Sequence, residues 1–160
     1  MIDIEPGSGA DGDADDMVRL HLRVGWYGLL VFLTLGVTLE ALHGFKAGFY
    51  LDLSNEARRL LWRLAHAHGN LIALMSVAFA ATCRLAPGLS GRRRAWASRC
   101  MLGALVLVPL GFFLGGLWLY PDTGDPGVAI LLTPVGAALL FVAVLLTAAG
   151  CRRRAADAAS

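Results

Sequence analysis

Four stretches of this chain, Val24–Leu42, Leu60–Cys83, Trp96–Leu119 and Gly127–Ala149, stay predominantly apolar for about 19 to 24 residues each, close to the roughly 20 that an α-helix needs to cross the hydrocarbon core of a bilayer. That spacing fixes the solvent before anything else. A lone strand in lipid leaves its backbone groups unpaired, whereas a helix satisfies them internally. The sequence therefore predicts an all-α polytopic membrane protein folded as a four-helix transmembrane bundle. Composition agrees, with 57% hydrophobic and 16% charged residues and a mean hydropathy of +0.62, against about a quarter charged in soluble domains.

The first stretch follows an acidic tail (DGDADD) and carries no small-residue cleavage site after it, so it reads as a span and not as a signal peptide. Residues 1–18, rich in Gly and Asp, are expected to be a disordered tail. Residues 19–151 then form the transmembrane domain and 152–160 a basic tail. Orientation follows from the basic residues. Arg19, Arg23, Arg84, Arg92, Arg93, Arg94, Arg99, Arg152, Arg153 and Arg154 fall on one side, and only Lys46, Arg58, Arg59 and Arg63 on the other. The positive-inside rule places both termini in the cytoplasm, with the protein integral to the inner membrane. Cys83, Cys100 and Cys151 then lie at cytoplasmic span ends, where a reducing compartment disfavours disulfides.

Helices already in lipid associate through close backbone packing, for which small residues are needed. The third span offers the GxxxG pair Gly111 and Gly115, widened by Gly116, and the fourth a stripe through Gly136. Pro109 and Pro134 are expected to kink the third and fourth spans. Trp26 and Tyr27 at one interface, with Trp62, Trp118 and Tyr120 at the other, have aromatic-belt placement.

The second span opens with WRLAHAHGN, four polar side chains carried toward lipid. At 100° per residue, Arg59, Arg63, His66 and Asn70 fall within about 60° of one another, while His68 lies roughly 200° from His66. The two histidines of HAH therefore serve different neighbours. The first span ends in TLEALHG, where Glu40 and His43 share a face with Gly36. A short connection makes these two spans antiparallel neighbours. Glu40, His43, Arg63, His66 and Asn70 are expected to gather in the extracytoplasmic part of the bundle, capped by Asp122 and Asp125.

Three readings of that cluster stay open at this point. One is structural, with Glu40 paired to Arg63 and the rest hydrogen-bonded between helices. Another is a cofactor site: His43, His66 and His68 as candidate ligands of a b-type haem, or Glu40, His43 and His66 as ligands of a transition metal. Di-iron chemistry is excluded, because it needs a second E-x-x-H and two further glutamates. The last is a proton or solute path, for which the third and fourth spans supply almost no polar lining in the inner half.

Nothing in the sequence points to an enzyme. Ser76 is the only serine well inside a span, and no base is placed beside it by spacing. No phosphate-binding loop, Rossmann pattern or zinc-finger spacing occurs. The runs GRRR and CRRR are explained by anchoring to anionic lipid, without nucleic acid. Expected partners are the bilayer and, through the glycine groove of the third span, another membrane protein or a second copy, which makes an accessory subunit the alternative function. The segments LEALHGFKAGFYLD and RRLLWRLAHAHGN resemble a pattern in small uncharacterised bacterial four-helix integral membrane proteins. The resemblance covers the first two spans and implies their architecture, with no known activity.

Overall fold

The structure, a computed structural model, describes residues 8–51, 56–86, 88–120 and 123–157. In chain order it contains α1 (Ser8–Gly44), the single turn α2 (Gly48–Leu51), α3 (Glu56–Leu85), α4 (Gly91–Leu117), a 3-10 turn at Val128–Leu131, and α5 (Leu132–Asp157). The segments Ala14–Gly44, Glu56–Leu85, Gly91–Leu117 and Val128–Arg152 are each long and apolar enough to span a membrane. Among the described residues the only strand-like pairing is an isolated bridge between Leu119 and Pro126. The protein is an all-α, integral four-helix bundle.

The helices pack in the order of the chain: α1 on α3, α3 on α4, and α4 on α5. In the most apolar window of each span, 50% of α4 is buried, against 17% of α1 and 11% of α5. The helix α4 is therefore central, and α1 and α5 keep broad faces toward lipid. Asp15 of α1 pairs with Arg84 of α3 at 3.2 Å, and Leu89 packs against Gly150 of α5. The early turns of α1 at Asp15, the α3–α4 turn and α5 at Gly150 thus share one end of the bundle, the terminal end. The α1–α3 and α4–α5 connections form the far end.

The helix α1 begins at Ser8, well before the expected end of a disordered tail at 18; residues 1–7 lie outside the described set. Acidic residues suit a helix start because they face the positive end of its dipole. Asp16 also bridges to Arg19 at 3.3 Å.

Glycine allows the close approaches. Gly25 lies against Val77 and the Ala73 carbonyl, and Gly69 admits the ring of Phe32. Thr133 lies against Gly111, and a Cβ added at Gly115 would meet Ile130 at 3.2 Å and one at Gly136 would meet Val108 at 2.7 Å. The glycine stripe of α4 is thereby filled within the chain, Gly111 by α5, Gly115 by the 3-10 turn and Gly116 by Leu61 and Trp62 of α3. It packs helices as expected, but it is not a free groove for a partner. The reason is the short α4–α5 connection, which returns the chain directly onto that face.

Pro109 lies in the interior of α4. Pro134 sits in the first turn of α5, where its missing N–H costs no helical hydrogen bond.

The far end of α4 is capped from two sides. Arg58 Nε donates to the Gly116 carbonyl at 3.1 Å and Trp62 Nε1 to the Phe113 carbonyl at 3.2 Å. The Gly127 N–H donates to the Gly115 carbonyl at 3.0 Å. Terminal carbonyls otherwise lack partners, and a cation there also meets the negative end of the dipole. Trp62 stacks between Tyr50 and Phe113, at ring separations of 6.4 and 5.6 Å. Tyr50 is consequently buried, whereas Phe45 and Phe49 in the same connection are exposed.

Candidate functional site

Two polar sites lie inside the helices, and the better-built one is not the predicted one. At the terminal end His21 of α1 is fully buried, with 0% of its surface exposed, as is Ser76 of α3. His21 Nδ1 lies 2.8 Å from Ser76 Oγ, and Nε2 lies 2.8 Å from Ser98 Oγ of α4. Ser76 Oγ also donates to the His21 carbonyl at 3.3 Å. A serine hydroxyl has one proton to give. The network therefore assigns the His21 proton to Nδ1, which donates to Ser76, and makes Nε2 the acceptor from Ser98. The edge of Phe79 closes over the ring, with centroids 4.7 Å apart. One imidazole thus ties α1, α3 and α4 together, each nitrogen satisfied by a different helix.

The sequence expectation that no base lies near Ser76 is overturned by this contact. A serine beside an imidazole is the arrangement of an activated nucleophile, yet neither residue lines either surface groove described below. Both hydrogen-bonding sites of the ring are spent on holding helices. The chemistry of the trio is that of a lock.

The predicted cluster separates. Glu40 and His43 of α1 and Arg63 of α3 are all exposed, and no ion pair or hydrogen bond joins them among the described residues. The buried stripe of α1 reaches Leu39, and the next residue, Glu40, is turned about 100° away from it. Asp125 is exposed as well; Asp122 lies outside the described residues.

Only His66 and Asn70 remain together. His66 Nδ1 donates to the Phe32 carbonyl of α1 at 2.7 Å. Asn70 Nδ2 donates to the His66 carbonyl at 3.0 Å, and Asn70 Oδ1 is buried without a partner among the described residues. The ring of His66 fills the place a side chain would take at Gly36. His68 points the other way, as its spacing predicts: it bonds the Leu64 carbonyl at 2.9 Å and packs on Phe112 of α4 at 5.0 Å.

These positions do not fit the cofactors considered from sequence. A haem between His43 and His66 needs space beyond His66 Nε2. The His66 ring lies against Gly36 of α1, leaving no room there even for a methyl group, while His43 is exposed. Among the described residues no three His, Cys, Asp or Glu side chains converge on a point where a metal ion would sit. The three cysteines are free.

The helices α1 and α4, joined through His21, do not close on each other along their length. Between α1 and α4, floored by Ala65 of α3, they leave a lateral groove of about 870 Å³. Its walls include Val31, Phe32 and Leu35 on α1 and Leu105, Pro109 and Phe113 on α4. Polar side chains enter only near its terminal end, where Arg23 and Tyr27 line it. A smaller groove of about 250 Å³ lies between α3 and α5 on α4 and is lined mainly by apolar side chains, including Met75, Phe79 and Val144. The chain matches no protein-family model, no curated protein and no solved structure.

Proposed function

We propose that this chain is a non-catalytic accessory protein of the bilayer, which acts by holding one membrane component against its side. The observation that carries this reading is the open groove between α1 and α4. Concave, mostly apolar sites with a few placed polar groups are the ordinary form of a binding site, and this one opens laterally into lipid. Most buried polar side chains inside the spans are otherwise occupied: His21, Ser76, Ser98, His66 and Trp62 all bond across helix boundaries. That allocation favours binding over redox chemistry or conduction, both of which need polar groups facing a ligand or a path.

Purified protein and a Val31→Trp variant, which fills the groove from an exposed wall position, test the reading by native mass spectrometry. The expected result is a bound component of fixed stoichiometry in the wild type that is missing from Val31→Trp. An absorption spectrum and elemental analysis belong beside it. A Soret band or stoichiometric metal that vanishes in a His43→Ala/His66→Ala variant would overturn the reading in favour of a cofactor protein. Proton flux into proteoliposomes that Glu40→Gln abolishes would overturn it in favour of a conductor.

A further inference from the structure

We propose that the occupant of the α1–α4 groove is a single anionic phospholipid, its phosphate held at Arg23 and its acyl chains laid along the groove toward Leu35. The inference rests on the lateral-binding reading above and names the ligand.

Polarity along the groove is the first support. Arg23 and Tyr27 stand at one end, and beyond Gly28 the lining of α1, α3 and α4 is entirely apolar. This is the profile of an amphiphile. From Arg23 to Leu35 the helix rises about 18 Å at 1.5 Å per residue, close to one leaflet of a hydrocarbon core about 30 Å thick. A groove one leaflet deep matches a lipid and is short for a spanning helix.

Charge is the second support. Arg23 is exposed and makes no hydrogen bond or ion pair with another described residue. Its long side chain reaches from the groove toward the interface, as arginines near span ends do. A second copy of this chain offers nothing to meet it. No Asp or Glu occurs from Met17 to Leu39, from Ala57 to Tyr120, or from Pro126 to Ala156, so none of the spans brings a carboxylate to that depth. A lipid phosphate arrives there from the leaflet itself. Basic pockets between membrane helices recognise anionic headgroups in this way.

The net charge of the headgroup follows from the neighbouring acids. A zwitterionic lipid brings its own cation, which needs an anion beside Arg23. The acids nearest on α1 are engaged already, Asp15 with Arg84 and Asp16 with Arg19. An anionic headgroup needs no such partner.

The test uses full-length protein in nanodiscs of phosphatidylcholine with a minority of phosphatidylglycerol, with retained lipid counted by native mass spectrometry after release. One phosphatidylglycerol per chain is expected in excess over its bulk share. Arg23→Gln should lower that preference about fivefold, the effect of roughly 1 kcal/mol for one basic residue at the surface. Arg92→Gln, exposed at the same end of the bundle but outside the groove, should leave it unchanged. Val31→Trp, and Leu110→Trp from the opposite wall in case the first variant folds poorly, should remove the retained lipid altogether. Equal retention of phosphatidylcholine, or a preference indifferent to Arg23→Gln, overturns the lipid assignment. If the tryptophan variants still displace a bound molecule in that case, lateral binding stands with a different occupant. If they displace nothing, both readings fall.

Discussion

Ser98→Ala is the most informative single change to the bundle. It leaves His21 Nε2, an acceptor, facing a methyl group in place of a hydroxyl 2.8 Å away. Ser98 lies about 10 Å along α4 from its first residue Gly91, and His21 is completely buried, so water does not replace the lost donor. The ring cannot turn to another partner, since Ser76 holds Nδ1 and Phe79 packs on its face. Interhelical hydrogen bonds in bilayers average about 0.6 kcal/mol and reach about 1.7. A stranded buried polar atom costs about 1–3 kcal/mol. The expected loss is about 1–2 kcal/mol, from the upper part of the first range and the lower part of the second. Replacing the whole trio should cost less than stranding part of it, because an apolar site leaves nothing unpaired. His21→Leu/Ser76→Ala/Ser98→Ala is therefore expected to be more stable than Ser98→Ala alone. Reversible unfolding in bicelles by added dodecyl sulfate, followed by far-UV circular dichroism, gives both numbers. The reasoning is refuted if Ser98→Ala stays within about 0.3 kcal/mol of wild type, below the average membrane hydrogen bond, or if the triple variant is the weaker of the two.

Gly36→Ala should cost about 1–3 kcal/mol in the same assay, since its methyl overlaps the His66 ring and overpacking strains or parts the helices. Gly44→Ala, with open space around it, serves as the silent control. Glu40→Gln and His66→Ala should be additive within about 0.5 kcal/mol in a double-mutant cycle, the behaviour of groups without a shared contact; a larger coupling would restore the cluster expected from sequence. Arg58→Ala should destabilise by about 1–2 kcal/mol through the lost carbonyl bond at the end of α4. Restoration by Arg58→Lys to the wild-type value would refute the requirement for a guanidinium placed over the Trp62 ring, 5.9 Å away.

Spans and class were legible because they rest on length and hydropathy, which the bilayer imposes on any crossing helix. The separation of His66 from His68 was legible for a similar reason, being helix geometry alone. His21 was hidden by its neighbours. Arg19 and Arg23 make its segment read as a charged flank, and hydropathy starts the span at Val24. The helical wheel held the missing signal. His21, Gly25, Gly28 and Phe32 fall within about 60° of one another at 100° per residue, with both arginines on the opposite face. The expected union of Glu40 with Arg63 failed for the converse reason. Sequence spacing gave each a shared stripe with polar neighbours, but which edge of a stripe meets the partner helix is decided by Gly36, Phe32 and Gly69 interlocking. The open groove was not legible at all, since it depends on how α1 and α4 are placed on either side of α3.

The row-like packing of the helices has a consequence for how the chain assembles during synthesis. Each long helix finds its main neighbour in the one made just before it, which keeps the contacts local and their formation fast. The bond from His21 to Ser98 is the exception, joining residues 77 apart in sequence. When α1 and α3 have paired, Ser76 can already satisfy one ring nitrogen, while the other waits for α4. A slip of α4 by one residue turns Ser98 about 100° from the ring and leaves that nitrogen bare in lipid. The imidazole therefore proof-reads the register of the third span at the moment it enters.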